Sequence, residues 1–167
     1  MAKKSSKSMK SFLFDFLILV LAGGLFGFLA LPFMSYQTTV LGSAAVTNYS
    51  GYDLLNFDAN AGIATVILLL VIFASLLALF AIVKMLADLG LLKNKSISRF
   101  LAYVVVFLSF AALVLTITNM IYIPTQCNSG SIGSYFSTGT KAAWLGLIIT
   151  AVDALFAFVA SLFTLKK

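Results

Sequence analysis

The sequence predicts an all-α integral membrane protein, an antiparallel four-helix bundle running up-down-up-down through a bilayer. Three observations predict it: a composition too apolar for water, four apolar runs of bilayer length, and cations gathered at alternate ends of those runs. Of the 167 residues, 62% are hydrophobic and 10% are charged, and the mean hydropathy is +1.10. A soluble domain needs a charged surface to stay dispersed, whereas a lipid-facing surface must be apolar, so this composition selects lipid as the solvent.

The helices are expected over residues 12–34, 62–88, 99–123 and 142–165, within a single transmembrane domain spanning 1–167. Each run reaches the ~20 residues needed to cross ~30 Å of hydrocarbon. Lipid offers no hydrogen bonds, so dominantly apolar runs of this length satisfy their own N–H and C=O groups only as helices. Pro32 and Pro124 fall at the ends of the first and third runs, where a missing amide donor is tolerated. Aromatic residues gather near the same boundaries: Phe33, Tyr36, Tyr122 and Trp144 at one face, Phe12, Phe100 and Phe163 at the other.

Orientation follows from the cations, because positively charged loops resist translocation. With the N-terminus inside, Lys3, Lys4, Lys7, Lys10, Lys84, Lys93, Lys95, Arg99, Lys166 and Lys167 are cytoplasmic, and Lys141 alone is outside. Both termini are therefore expected in the cytoplasm. Residues 35–61 and 125–141 become outer loops, the second flexible because it is rich in Gly and Ser. Residues 89–98 become a short, basic cytoplasmic loop that makes the second and third helices a hairpin. A cleaved leader is the rival reading of the first run, with Ser43-Ala44-Ala45 as the cleavage site. The run exceeds the usual 7 to 15 residues of such a segment and contains Asp15, so an uncleaved anchor is expected.

A resemblance enters at the first helix and loop. Leu31-Pro32-Phe33-Met34-Ser35, followed by Ser50-Gly51-Tyr52-Asp53-Leu54-Leu55, resembles a pattern in small uncharacterised bacterial four-transmembrane-helix proteins. That resemblance implies a bacterial plasma membrane and no particular activity, substrate or cofactor. The paired loop cysteines of claudin-like proteins and the cysteine-rich loop of tetraspanin-like proteins are missing.

Histidine and glutamate are absent and Cys127 is the one cysteine, so the side chains that run acid-base, metal and thiol chemistry are nearly lacking. The expectation is no enzyme, no cofactor, no metal site, and no nucleic-acid partner, since the cations are not interleaved with aromatics in a patch. Asp53 and Asp58 share an oxygen-rich loop, but their spacing does not match a calcium-binding hand. Asn48-Tyr49-Ser50 is a glycosylation sequon with meaning only in a eukaryotic secretory route.

Asp153 is the sharpest feature, placed halfway along the fourth run. Insertion scales charge ~2.5 to 3.5 kcal/mol for an aspartate at that depth, so such groups face the bundle interior or a wet cavity. At 100° per residue, Ala142, Gly146, Thr150, Asp153, Ala154, Ala157, Ala160 and Ser161 share about a third of the helix circumference, a small and polar face suited to close packing. Gly23-x-x-x-Gly27 on the first helix carries the same small-residue signature. Ser75 and Ser109 lie at a similar depth and are the possible polar partners of Asp153. Three readings stay open for it: a neutral acid bonded between helices, a proton or cation site, or a pair with a basic group from another subunit. Asp15 and Lys84 are near the same boundary and are read as a possible ion pair; the alternatives are snorkelling of Lys84 into the headgroups and a contact of Lys84 with Asp88 one turn on. The functional expectation is an accessory or assembly subunit that uses the small face of its fourth helix to pack against partner membrane proteins or to self-associate; the alternative is a small transporter or channel component working through Asp153.

Overall fold

The computed structural model describes residues 2–40, 43–56, 61–91, 95–127, 129–132 and 136–165. The order is α1 (Ala2–Phe28), β1 (Pro32–Val40), β2 (Ser43–Ser50), α2 (Gly51–Leu54), α3 (Ala61–Asp88), α4 (Lys95–Thr125), β3 (Ser129–Ile132), β4 (Phe136–Ala142) and α5 (Trp144–Leu165). Four helices, over Ser11–Phe28, Ala61–Asp88, Ser96–Thr125 and Trp144–Leu165, are each long and apolar enough to cross a bilayer.

Those helices close a ring in which α1 packs on α3 and α5, and α4 packs on α3 and α5. Small residues recur where they meet: Ala22, Ala74, Ala81, Ala112, Ala154, Ala157 and Ala160 are buried, while Leu, Ile and Phe crowd the outer faces. Water would reverse that arrangement. An apolar exterior costs nothing in lipid, and close backbone approach inside gains dispersion contacts. α3 ends in a Schellman motif: Gly90 takes φ +87°, its N–H donates to Ala87 O at 3.1 Å, and Leu91 N–H donates to Leu86 O at 3.2 Å.

The expectation of an all-helical chain is corrected at the loops. β1 to β4 form one antiparallel sheet in the order β2-β1-β4-β3. The central pair joins the two loops, Met34 opposite Ala142 and Val40 opposite Phe136. Residues 36–40, Tyr-Gln-Thr-Thr-Val, are β-formers, and pairing satisfies backbone groups that a disordered loop would leave to water. Two boundaries move accordingly. The first helix stops at Phe28 instead of residue 34, because Pro32 opens β1, and Ala142 closes β4 instead of starting the last helix. The second loop, expected to be flexible, contributes two strands. Ser43, Ala44 and Ala45, the weighed cleavage site, lie in β2 opposite Val40, Thr39 and Thr38. Asp58 of the weighed calcium loop and the loop cation Lys93 lie outside the described residues.

The sheet is fastened to the helices at one end of the ring, with β1 against α5. Gly146 makes this fit: a Cβ there would collide with the carbonyl oxygen of Pro32. Phe33 and Met34 continue from the strand into the apolar core beside Leu29, Leu54, Ile123 and Leu147. The sheet thus marks one end of the bundle, and the other end carries its buried charges.

Candidate functional site

Buried polar groups with carboxylates lie at two levels. At the end away from the sheet, Lys84 of α3 places Nζ 2.7 Å from Asp15 Oδ1 of α1 and 2.9 Å from Asp88 Oδ2, one turn further along its own helix. The three side chains are 3% exposed or less. Ser11 of α1 donates to Asp88 Oδ2, and Ser98 of α4 donates to Asp88 Oδ1 at 2.6 Å. The Lys84 ammonium therefore joins α3 to α1, and Asp88, accepting from Ser98, brings in α4. The ammonium also faces two acids, so the cluster carries one negative charge when all three groups are ionised, and Asp15 Oδ2 is buried with no hydrogen-bond partner.

The sequence read Asp15–Lys84 and Lys84–Asp88 as competing pairs; the geometry holds both at once. The hydroxyls of Ser11 and Ser98 were not read from the sequence, since serines near a helix end carry no distinguishing signal without a tertiary partner.

The second level is half-way along α5. Its small face points inward: Gly146, Thr150, Asp153, Ala154, Ala157, Ala160 and Ser161 are all buried. Asp153 leans on α1 at Gly24, where an added Cβ would stand 2.9 Å from Asp153 Oδ1. Asp153 Oδ2 is buried without a hydrogen-bond partner. On α4, Asn119 is 1% exposed, and neither its amide nitrogen nor its carbonyl oxygen has a partner. Buried orphans of this kind are uncommon, because each forfeits the hydrogen bond it had in water.

Several expected members of the site sit elsewhere. Ser75 is exposed and its hydroxyl donates to Val71 O on its own helix, 2.7 Å away, so it does not serve Asp153. Ser109 is inside, but it pairs with Ser161 at 2.8 Å. Gly23 and Gly27 face outward, and a Cβ on either would meet nothing within 4 Å. The close approach belongs to Gly24 between them. A G-x-x-x-G count detects small residues one turn apart and says nothing about which face the neighbouring helix takes.

Near the sheet, Ser50 caps α2. Its hydroxyl accepts from Asp53 N–H at 3.2 Å, while Asp53 Oδ2 accepts from Ser50 N–H at 2.8 Å, a reciprocal capping box. The Ser50 hydroxyl, which also donates to Asp53 Oδ2 at 2.7 Å, and then the Ser50 N–H hold the Asp53 carboxyl below the usual carboxylate range. Cys127, just past α4, donates its thiol to Ile123 O at 3.4 Å, and burial pushes that thiol above its ordinary pKa. A raised pKa keeps the thiolate scarce at neutral pH, the reverse of a catalytic cysteine. Among the described residues, no three His, Cys, Asp or Glu side chains gather as metal ligands.

No family model, curated protein or solved structure matches this chain.

Proposed function

We propose that this chain is a non-enzymatic, multi-pass membrane protein, an accessory or assembly subunit that recognises its partner through the sheet. In this reading α1, α3, α4 and α5 cross the plasma membrane up-down-up-down. Both termini face the cytoplasm and the sheet stands on the opposite side. Ten of the eleven cations then lie at the cytoplasmic side, as the resistance of basic segments to translocation requires.

One observation carries the recognition role. β2 is an edge strand of eight residues with no charge and no proline, and Ser43 to Asn48 are exposed along it. Soluble edges are protected by charge, proline or a covering element, because an open edge pairs with any extended chain. An open, uncharged edge is therefore suited to taking a strand from an extracytoplasmic segment of a neighbouring membrane protein. The small face of α5 is no longer the partner surface, since it is spent inside the bundle.

The test is co-purification in mild detergent, followed by native mass spectrometry. Wild-type protein is expected with a second chain, and Val46→Lys, on the exposed strand, loses it while the bundle's thermal unfolding is unchanged. Recovery of monomer alone from the wild type overturns the reading. Topology is tested separately by a membrane-impermeant maleimide, which is expected to reach Cys127 only from the face opposite an N-terminal tag.

A second reading, a small transporter or channel component, is favoured by one observation only, the unpartnered carboxylate of Asp153.

A further inference from the structure

We infer that the bundle holds an internal site for one monovalent cation, formed by Asp153 with the oxygens of Thr116, Asn119 and Thr150. The inference deepens the second reading above and rests on the helices crossing a bilayer; it does not require a partner at the sheet.

The four residues come from facing helices at matching heights. The Ser109–Ser161 contact at 2.8 Å fixes α4 against α5. From that contact toward the sheet, at ~1.5 Å per residue, Thr116 lies about 10 Å along α4 and Asp153 about 12 Å along α5. Asn119 follows at about 15 Å and Thr150 at about 16 Å. All four are buried: Thr116 is 2% exposed, Asn119 1%, Thr150 2% and Asp153 7%.

Two of them have unmet bonding capacity. Asp153 Oδ2, Asn119 Oδ1 and Asn119 Nδ2 lack any partner. The two threonines spend their protons on their own helices, Thr116 donating to Leu113 O at 2.8 Å and Thr150 to Gly146 O. Their oxygens keep lone pairs for a ligand. The spare capacity of this level is thus mostly hard oxygen, the donor type that suits Na⁺-like ions and poorly suits softer metals.

Charge sets the valence. Asp153 is faced by Gly24 on α1, and among the described residues no ion pair joins it to a cation. The nearest charged groups on α1 and α3, Asp15 and Lys84, lie about 13 Å further along α1, nine residues from Gly24, where Lys84 is already held between Asp15 and Asp88. One carboxylate balances one positive charge. A divalent ion would leave a net charge buried in a low dielectric, at a cost of several kcal/mol. Gly24 keeps the place open, because any larger side chain there would press on the carboxyl group.

The test uses the full chain in proteoliposomes and a lipid-soluble carbodiimide, to whose central carbon a protonated carboxyl group adds as its proton passes to nitrogen, with the labelled residue located by peptide mass spectrometry. Asp153 is expected to react in cation-free buffer and to react several-fold more slowly in sodium or potassium chloride, but not in N-methylglucamine chloride. Asn119→Ala and Thr116→Val are expected to keep the reaction and lose most of the protection. Equal rates in all three salts overturn the site, as does an Asp153 that never reacts. Protection that survives both variants overturns the proposed ligand set. Because the wild type carries the main comparison, poor folding of a variant leaves the result decisive. Failure of the membrane-spanning reading itself appears elsewhere, in the Cys127 maleimide map.

Discussion

Lys84 holds two carboxylates at once, in a setting where none of the three groups reaches water. Removing one partner from a buried ionic group costs far more than the group contributes intact, because the survivors remain charged and desolvated. Lys84→Met is therefore expected to lower stability by about 3–5 kcal/mol, read by denaturant unfolding in mixed micelles. Asp15→Asn costs less, since Lys84 keeps Asp88. Joint replacement of Lys84, Asp15 and Asp88 by Met, Leu and Leu recovers most of the loss, because no uncompensated charge then stays behind. The glycines of α1 give a second contrast. Gly24→Ala sets a methyl group 2.9 Å from Asp153 Oδ1 and is expected to cost about 1–3 kcal/mol. Gly23→Ala, with open space around it, is expected to stabilise the helix by up to about 1 kcal/mol. The Asp15–Lys84 pair was legible in the sequence because two isolated charges stood near the same end of apolar runs. The orphaned Asn119 was not legible, since an asparagine in a helix marks nothing until its neighbours are known.

At the scale of elements, the short helix α2 depends on the Ser50–Asp53 box. Its hydrogen bonds favour the ionised acid and depress the folded pKa, so the cap's contribution is fully present above the unfolded Asp value of about 3.9. It is lost as pH falls through the lower, folded value. Amide hydrogen exchange at Tyr52 to Asn56 is accordingly expected to quicken on acidification in the wild type, and to be fast at every pH in Ser50→Ala. The four long helices were readable because each is a long and dominantly apolar run, a pattern that length and hydropathy alone reveal. The strands were not, because the pairing of residues 34–40 with 136–142 is made across a hundred residues of chain. The local signal was present in Tyr36, Thr38, Thr39 and Val40, yet a β-rich string between two spans reads equally well as a polar loop. For α5 the face was right and the start was wrong: periodicity identified the buried side, while Ala142 was taken by a strand that periodicity cannot foresee.

Across the whole molecule, the ring of helices is closed at both ends by different means. Charge joins α1, α3 and α4 at one end, and a sheet joins the two loops at the other. Between them the buried faces are small or apolar, apart from the polar level at Asp153 and the Ser109–Ser161 contact. Far-UV circular dichroism in detergent is expected to be dominated by helix. Detergent removal is expected to bring precipitation, since Leu, Ile, Val and Phe side chains cover the outside of all four long helices.

The β1–β4 pairing also sets an order of events during synthesis. β1 leaves the ribosome directly after the first helix, whereas its neighbour β4 is translated only when α3 and α4 have already been made. Until then β1 has one side of its backbone ladder open to any extended chain nearby. Completion of the sheet therefore waits for the segment between α4 and α5, and a ribosome that stalls before residue 136 leaves the sheet unfinished.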